Sequence, residues 1–469
     1  MPANDILFEP LVFPHLTIKN RILRSSISGR FDNYDGSGTH ARINWEEKFA
    51  RGGVGAIISS YVPVHVRGRI FPNFAMIDHD DKIDFWRAVG ERVHQYKDKN
   101  GVPCRYILQL SHSGRQQDMS GVENLYKKSM SSTSKRDYFH GILCQAMTKA
   151  EIKEVVDWFG AGARRARAAG LDGVETHSAN GYLINQFLSS AINDRTDEYG
   201  GSLEKRARFL LEIVAAIQRE AGEDFHLQCK INGADHNNAL FPWYKKGNTL
   251  DEEIRLCQML QDAGVHAIHV SSGSIFPHPR NPAGGLPLID VQRSYSTMLS
   301  SGTLTHRNYL IFYSWLLGPL FRWWWQHRGA GHGPVQGINL DYAAAIKKAL
   351  KIPVICTGGF QEGAFIRKAI QDGKTDAVSI ARPLIANNDL VRYFERGEEV
   401  PEKLLCNYCN KCCFNDVAWP LGCYEVSRFD GDYERMIQQV MTVYHPSPFS
   451  QNGKQPLNIA PVAQQGEGR

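Results

Sequence analysis

The stretch ETHSANGYLINQFLSSAINDRTDEYGGSLEKRARFLLEI, residues 175–213, joins the end of an apolar run to the start of an amphipathic helix. The apolar run LDGVETHS, residues 171–178, has the composition of a buried strand. Ser202 is a suitable helix cap, and apolar residues follow it at steps of three and four. The stretch therefore predicts a strand, a polar turn and a helix, which is the repeating unit of α/β proteins.

The polar turn carries three side chains suited to one reaction. His177 and Asn180 lie three residues apart, and Tyr182 follows two residues later. The imidazole and the amide can both donate hydrogen bonds to one carbonyl or nitro oxygen, which draws electrons from a conjugated C=C bond, and the phenol can supply a proton. These groups are suited to reducing an activated alkene. The alternative interpretation is that His177 and Asn180 only satisfy backbone groups at a strand end.

The same stretch resembles the motif of a known family. The segments HSANGYL (177–183), NQFL (185–188) and NDRTDEYGGSLE (193–204), followed by Arg206, are similar to the motif of the Old Yellow Enzyme family of NADH:flavin oxidoreductases and ene-reductases. The resemblance implies an enzyme with an eight-stranded β/α barrel that binds FMN and takes hydride from NADPH or NADH. It also implies that His177 and Asn180 bind the activating oxygen of the substrate and that Tyr182 is the catalytic proton donor.

Eight apolar runs have the pattern of strands that are buried on both faces. They are residues 19–28, 52–64, 104–111, 171–178, 225–233, 266–273, 352–359 and 375–382. Helical patterns lie between them, and no Gly-x-Gly-x-x-Gly motif follows the first run, which disfavours an open dinucleotide-binding sheet. We therefore predict an α/β fold in which residues 1–400 form a (β/α)8 TIM barrel, and the resemblance implies that this barrel binds FMN.

The ends of the last two predicted strands indicate a phosphate site. TIM barrels often bind phosphate after strands 7 and 8. Gly358 and Gly359 end strand 7, where backbone N–H groups can approach a phosphate, and Ala381 and Arg382 end strand 8, where a guanidinium can pair with it. For the two glycines alone, an ordinary tight turn is the competing interpretation.

Four further residues are assigned by the resemblance. Gln109 matches the glutamine that the family hydrogen-bonds to the flavin pyrimidine ring, and Lys230 falls where the family places a cation near flavin N1 and O2. Ser28 occupies the position of a Thr or Cys beside flavin O4. His278, in the loop after strand 6, lies near the second acid of the 2,4-dienoyl-CoA reductase branch, so a substrate contact and a solvated loop histidine are both open interpretations.

An apolar insertion of about residues 290–336 separates strands 6 and 7. Its core, YLIFYSWLLGPLFRWWW (309–325), has 17 residues, fewer than the ~20 apolar residues of a membrane-spanning helix, and contains Pro319 and Arg322. Two interpretations of this segment are open. It could contact a membrane surface peripherally, which its tryptophans and arginine would suit, or it could form a buried lid or a subunit contact.

A cysteine-rich extension, residues 401–445, follows the barrel. The spacing of Cys406, Cys409, Cys413 and Cys423 resembles the [4Fe-4S] motif of the dienoyl-CoA reductase and amine dehydrogenase branch, although Cys412 competes with Cys413 as the third ligand. Zinc and reduced structural thiols are the alternatives. Residues 446–469 are polar and are predicted to form a disordered tail.

The composition excludes several classes of protein. The net charge of +5 is small for 469 residues and the basic residues form no run, so nucleic acid is not an expected partner. No secretory signal is apparent at the start, so we expect a cytoplasmic location, with membrane association depending on 309–325.

We predict an FMN-dependent NAD(P)H oxidoreductase that reduces the C=C bond of a small α,β-unsaturated carbonyl compound. The alternatives are an iron-sulfur flavoprotein and a membrane-docked flavin-binding scaffold without turnover.

Overall fold

A computed structural model describes residues 5–116, 127–299, 301–329 and 334–444. Within these residues, eight parallel strands close into a barrel. In chain order they are β1 (Ile22–Arg24), β2 (Ala56–Pro63), β3 (Arg105–Ser111), β4 (Gly173–His177), β5 (His226–Asn232), β6 (Ala267–Ser271), β7 (Val354–Thr357) and β8 (Ala377–Ile380). Each strand pairs with its sequence neighbours, and β8 pairs with β1. The predicted TIM barrel is confirmed.

A helix on the outside of the barrel follows each strand. These helices are α1 (His40–Arg51), α2 (Ile83–His94), α3 (Lys149–Ala168), α4 (Leu203–Ala221), α5 (Leu250–Asp262), α6 (Leu340–Ala349), α7 (Gly363–Gln371) and α8 (Leu390–Arg396). Their ends follow local side-chain chemistry: Thr148 and Glu151 form a reciprocal capping box on α3, and the Ser202 hydroxyl caps α4. Their apolar faces pack against the strands.

The interior of the barrel is apolar at one end and polar at the other. At the amino-terminal end, Leu23, Ile58 and Ile107 pack beneath a short hairpin formed by Leu11–Val12 and Thr17–Ile18. At the carboxyl end, the inward side chains are polar and include Gln109 and Lys230. A barrel closed at one end can hold ligands only at the other, where TIM barrels place their chemistry.

In its described residues, the insertion between β6 and α6 forms the α-helices Leu288–Arg293, Tyr295–Met298, Thr305–Tyr313 and Leu317–Trp324, and a π-helical turn, Trp325–Gly329, follows the last of them. Its inner face is buried, with Tyr309, Phe312 and Trp325 in a satellite core. Its outer face exposes large apolar side chains: Leu310, Tyr313, Trp315, Leu316, Leu317, Leu320 and Trp323. Among the described helices, none has the length and hydropathy to cross a membrane. A contact of this outer face with a membrane surface or another subunit stays a prediction.

The cysteine-rich extension lies over the carboxyl end of the barrel. Tyr408 donates a hydrogen bond of 2.5 Å to the Gly359 carbonyl, and Asn410 donates one of 3.0 Å to the Pro282 carbonyl. Its helices are Lys411–Asn415 and Tyr433–Met441. The predicted tail, 446–469, lies outside the described residues.

Candidate active site

A cavity of about 260 Å³ opens at the carboxyl ends of the strands. Ten residues predicted from the sequence line it: Ser28, Gln109, His177, Asn180, Tyr182, Lys230, Gly358, Gly359, Ala381 and Arg382. They come from six of the eight strands or the turns directly after them. The structure therefore brings the predicted catalytic and flavin-binding residues to one place, where large pockets with a few convergent polar groups usually bind ligands.

The predicted proton donor and one predicted oxygen-binding residue are neighbours. The ring centroids of His177 and Tyr182 lie 4.6 Å apart, edge to face. Burial, reinforced by Lys230, holds the pKa of His177 well below its usual value, so the imidazole is neutral. Its Nδ1 is buried and has no hydrogen-bond partner among the described residues. Burial also raises the pKa of Tyr182, so its phenol keeps the proton that an acid must deliver.

Asn180 is held firmly at the cavity wall. Its φ of 59° is in the left-handed region, which asparagine tolerates better than most residues. Its side-chain Nδ2 donates to Ser271 Oγ at 3.2 Å and to the Ser272 carbonyl at 2.8 Å. The backbone carbonyl of Asn180 accepts a bond from the side chain of Gln116. The amide must therefore give up one of these bonds to donate to a substrate.

A buried hydrogen-bond network supports Gln109 from below. Gln109 Nε2 donates to Glu175 at 2.7 Å, and its Oε1 accepts a bond of 2.7 Å from Ser26. Glu175 also accepts bonds from His269 at 2.8 Å and from Gln228 at 2.5 Å. Burial alone would raise the pKa of Glu175, but its interactions with His269 and Lys230 outweigh burial and keep that pKa low. Glu175 therefore stays ionised and fixes the Gln109 amide.

Lys230 supplies positive charge to the same wall. Lys230 is 7% exposed, and burial lowers the pKa of its ammonium while Glu175 opposes that change. A cation at this depth suits an anionic or electron-rich ring edge. The roles of Glu175, Gln228 and His269 were not predicted from the sequence. The signal was present, since polar residues at alternate strand positions point into a barrel.

The predicted phosphate site lies where β7 and β8 end. Gly359 has a φ of 70°, and an added Cβ would come within 2.7 Å of the Val335 carbonyl oxygen, so the turn requires glycine. Arg382 donates through Nη1 to the Ala283 carbonyl at 2.5 Å and also to Asn410. A guanidinium has five N–H groups, so these bonds leave donors for an anion.

These donors fit a flavin nucleotide. An amide and an ammonium are available for a polar ring edge, a guanidinium and a glycine turn for a phosphate, and apolar Tyr61, Ile70 and Phe74 complete the cavity wall. The Nδ1 of His177 has no hydrogen-bond partner among the described residues, so it is available to a second ligand.

One sequence prediction needs correction, and one residue was missed. His278 does not line the cavity: it is fully buried, its Nε2 donates to the His236 carbonyl at 3.1 Å, and its Nδ1 accepts the Arg280 N–H. Both ring nitrogens are bonded to backbone groups and the residue is fully buried, so His278 is neither a substrate contact in this cavity nor a solvated loop histidine. Asp416, from the extension, does line the cavity and accepts a bond of 3.4 Å from Ser28. Burial raises the pKa of Asp416 to about 7.

The cysteines of the extension divide between two cavities. Cys406, Cys409, Cys412 and Cys423 line a small cavity of about 20 Å³, whereas Cys413 faces the large one. Cys412, the alternative third ligand, therefore lies beside the other three cysteines of the predicted set, while Cys413 lines the large cavity. Among the residues that the structure describes, no group of three or more His, Cys, Asp or Glu side chains is close enough to hold a metal ion. A cavity of about 20 Å³ has room for little more than one water molecule, so the iron-sulfur cluster stays a prediction from the sequence.

Comparison with known proteins gives a consistent result. A family model described as the NADH:flavin oxidoreductase / NADH oxidase family matches residues 6–285. The chain is 31% identical over 433 residues to the NADH oxidase of Thermoanaerobacter brockii, covering 89% of this chain and 57% of that protein. It is 28% identical over 401 residues to the cinnamate reductase of Clostridium sporogenes, covering 82% and 52%. The chain therefore spans about half the length of these relatives.

Solved structures match the fold. The Old Yellow Enzyme homologue from Zymomonas mobilis superimposes with a TM-score of 0.63 at 22% identity, covering 88% of this chain and 99% of that one. At this identity the match supports the architecture alone. Together with the family match, it agrees with the resemblance carried by residues 177–206.

Proposed function

Because the chain belongs to the NADH:flavin oxidoreductase / NADH oxidase family, we propose that it is an FMN-dependent NAD(P)H oxidoreductase that reduces the activated C=C bond of a small α,β-unsaturated carbonyl compound. The observation that carries the proposal is the meeting of His177, Asn180 and Tyr182 on the wall of one cavity. The chemistry that a bound FMN supplies is uptake of a hydride from NADH or NADPH and its transfer to the β-carbon of the alkene.

The residues of the chain have two tasks in this reaction. Gln109, Lys230, Gly359 and Arg382 hold the flavin through its ring edge and phosphate. His177, whose Nδ1 lacks a partner among the described residues, binds the substrate oxygen, and negative charge that develops there is stabilised by donation from this neutral imidazole.

Asn180 provides the second donor by exchanging its bond to Ser271, the longer of its two at 3.2 Å, for one to the substrate. Tyr182 delivers its phenolic proton to the α-carbon, and its raised pKa ensures that the phenol is protonated beforehand.

The proposal is tested in two half-reactions under anaerobic conditions. The protein is first reduced with NADPH and then mixed with cyclohexenone, and flavin absorbance is followed in both steps. Tyr182→Phe should leave reduction by NADPH unchanged and slow reoxidation by the enone by ~10²–10⁴-fold, the usual contribution of a general acid. Removal of an oxyanion donor in His177→Ala should slow the same step by ~10²–10³-fold.

Tyr61→Phe is the matched control. Tyr61 lies in the same aromatic cluster, 5.2 Å from the Tyr182 ring, but its hydroxyl donates to the Gly68 carbonyl. Reoxidation in Tyr61→Phe should therefore proceed at the wild-type rate. If reduced wild-type protein is not reoxidised by any enone, or if Tyr182→Phe reacts as fast as the wild type, the proposed function is wrong.

A second candidate function is favoured by the small cysteine-lined cavity. The sequence resemblance to the dienoyl-CoA reductase and amine dehydrogenase branch implies an iron-sulfur cluster with Cys406, Cys409, Cys413 and Cys423 as ligands. In this hypothesis Cys412, which lines the small cavity with Cys406, Cys409 and Cys423, would replace Cys413, and the cluster would supply single-electron transfer. Iron and acid-labile sulfide analysis of anaerobically purified protein distinguishes the two: about four of each per chain supports the cluster, and none supports the simple ene-reductase.

A further inference from the structure

A second cavity, of about 80 Å³, lies beside the candidate active site. The insertion forms about half of its wall, and the extension contributes Cys413, Phe414 and Val417. Its wall is almost entirely apolar and strongly aromatic, with Val291, Phe312, Phe321 and Trp325 among its residues. The family resemblance assigns nothing to this space, since the insertion that builds it is a departure from the plain barrel.

The two cavities share a wall. Phe276, Met298 and Val417 line both of them. Phe276 also packs against the aromatic cluster that contains Tyr182. A ligand bound near Tyr182 is therefore separated from the second cavity only by side chains that belong to both.

The polar side chains around the second cavity are already satisfied by one another. The hydroxyls of Ser294 and Tyr309 share a bond of 2.6 Å, and the Asn308 amide donates to the Phe139 carbonyl at 2.6 Å. The exception is Trp325, whose indole Nε1 is buried and has no partner among the described residues. His140 and Cys413 also line the cavity, and the Nδ1 of His140 is bonded to Asp137 at 3.1 Å. The cavity thus offers mainly apolar contact, and the residues described in its wall include no Asp, Glu, Lys or Arg that could pair with a charged group.

We propose that this second cavity, formed in part by the insertion, binds an aromatic or similarly bulky apolar substituent of the substrate. The inference rests on the proposed function, because it places the activated alkene at His177 and Tyr182 and directs its substituent past Phe276. The substrate class is then an uncharged enone that carries an aryl or cyclic apolar group, and a single acceptor atom on that group can pair with Trp325 Nε1.

Turnover of paired substrates tests the inference. The small enone is but-3-en-2-one, and the large ones are 4-phenylbut-3-en-2-one and 1-phenylprop-2-en-1-one, which carry the ring on either side of the alkene. Val291→Phe fills the second cavity and should lower kcat/KM for at least one phenyl enone by about tenfold or more, while kcat/KM for but-3-en-2-one stays unchanged. Ile289→Phe, on the same helix with its side chain 63% exposed, should leave both values unchanged.

Enlarging the cavity gives the opposite result and does not depend on the stability of the filled variant. Phe321→Ala should raise the kcat/KM for a naphthyl enone relative to that for but-3-en-2-one. Binding is measured separately by saturation-transfer NMR of the phenyl enones with oxidised holoenzyme and no NAD(P)H, so that no turnover occurs. Saturation of the phenyl protons should be strong in the wild type and in Ile289→Phe, and weak in Val291→Phe.

Different results would contradict the proposed function and the proposed role of the second cavity. If but-3-en-2-one reoxidises the reduced flavin but neither Val291→Phe nor Phe321→Ala changes the selectivity or the phenyl saturation, the second cavity is not a substrate site. If no enone reoxidises the wild type, the proposed function fails; the NMR experiment then still decides whether the cavity binds aryl groups.

Discussion

Asp416→Asn should make the protein more stable at alkaline pH and remove part of its pH dependence. In the wild type, burial raises the pKa of the Asp416 carboxyl from 3.8 to about 7, although Arg30 and Arg42 lower it. Between those two values the folded chain keeps a proton that the unfolded chain has released, so stability falls as pH rises through the window. The difference corresponds to about 4 kcal/mol in all, of which about 3 kcal/mol falls between pH 5 and pH 8.

This loss of folding stability between pH 5 and pH 8 can be measured as a shift in melting temperature. A chain of 469 residues has an unfolding entropy of about 1 kcal/mol/K, so 3 kcal/mol corresponds to about 3 °C. Asparagine keeps the size of the side chain and an oxygen that can accept the Ser28 bond. The melting temperature of Asp416→Asn minus that of the wild type, followed by tryptophan fluorescence, should therefore grow by about 3 °C from pH 5 to pH 8.

The control is Asp84→Asn, because Asp84 is an exposed carboxyl paired with Arg87 on the surface of α2. Its melting temperature should follow that of the wild type at every pH. Parallel pH profiles for Asp416→Asn and the wild type would show that Asp416 is ionised in the folded protein, and would refute the assignment of a buried neutral carboxyl beside Ser28.

Three further predictions concern other parts of the molecule. Glu175→Gln puts an amide NH₂ among groups that donate to the carboxylate, so the free energy of unfolding should drop by about 1–3 kcal/mol and flavin should be retained less well after gel filtration. Cys412→Ser should lower the iron content of anaerobically purified protein and Cys413→Ser should not; equal iron in both would contradict the division of these cysteines between two cavities. Trp315→Ser removes a side chain that is 87% exposed and should reduce co-sedimentation with anionic phospholipid vesicles. Unchanged sedimentation with a lower dimer fraction by light scattering would instead indicate a subunit contact.

The barrel could be predicted because a strand buried on both faces is a continuous apolar run, and each of the eight predicted runs contains one observed strand. The predicted ends were less accurate. The first run was predicted as 19–28, whereas β1 ends at Arg24. Beyond it, residues 25–28 leave the strand ladder and line the cavity, which a local pattern does not reveal.

The predicted site residues that follow strands came together because the strands of a barrel all end at one rim. Positions that depend on distant packing were not predictable in this way. Asp416 reaches the cavity only because the extension folds back over the barrel, and His278 turns away from it because its loop uses both ring nitrogens. Adjacent residues Cys412 and Cys413 face different cavities, which spacing along the chain could not decide.

The apolar segment 309–325 also depends on distant packing, which the sequence does not reveal. Its composition predicted an element with unusual apolar contact, but not how its side chains divide between the two faces. In the structure, Tyr309 and Phe312 point into a satellite core, while Leu310 and Tyr313 on the same helix remain exposed. That division follows from how the helix sits on Leu240 and Leu286, contacts that are far away in the sequence.

Arg382 borders both the large cavity and the small cysteine-lined one. A single positive charge thus borders two neighbouring cavities: it lowers the pKa of the Cys406 thiol in one of them, against the effect of burial, and is available to an anion in the other. By thermodynamic linkage, if metal binding at the cysteines changes the affinity for a phosphate-bearing ligand, that ligand changes the affinity for the metal by the same free energy.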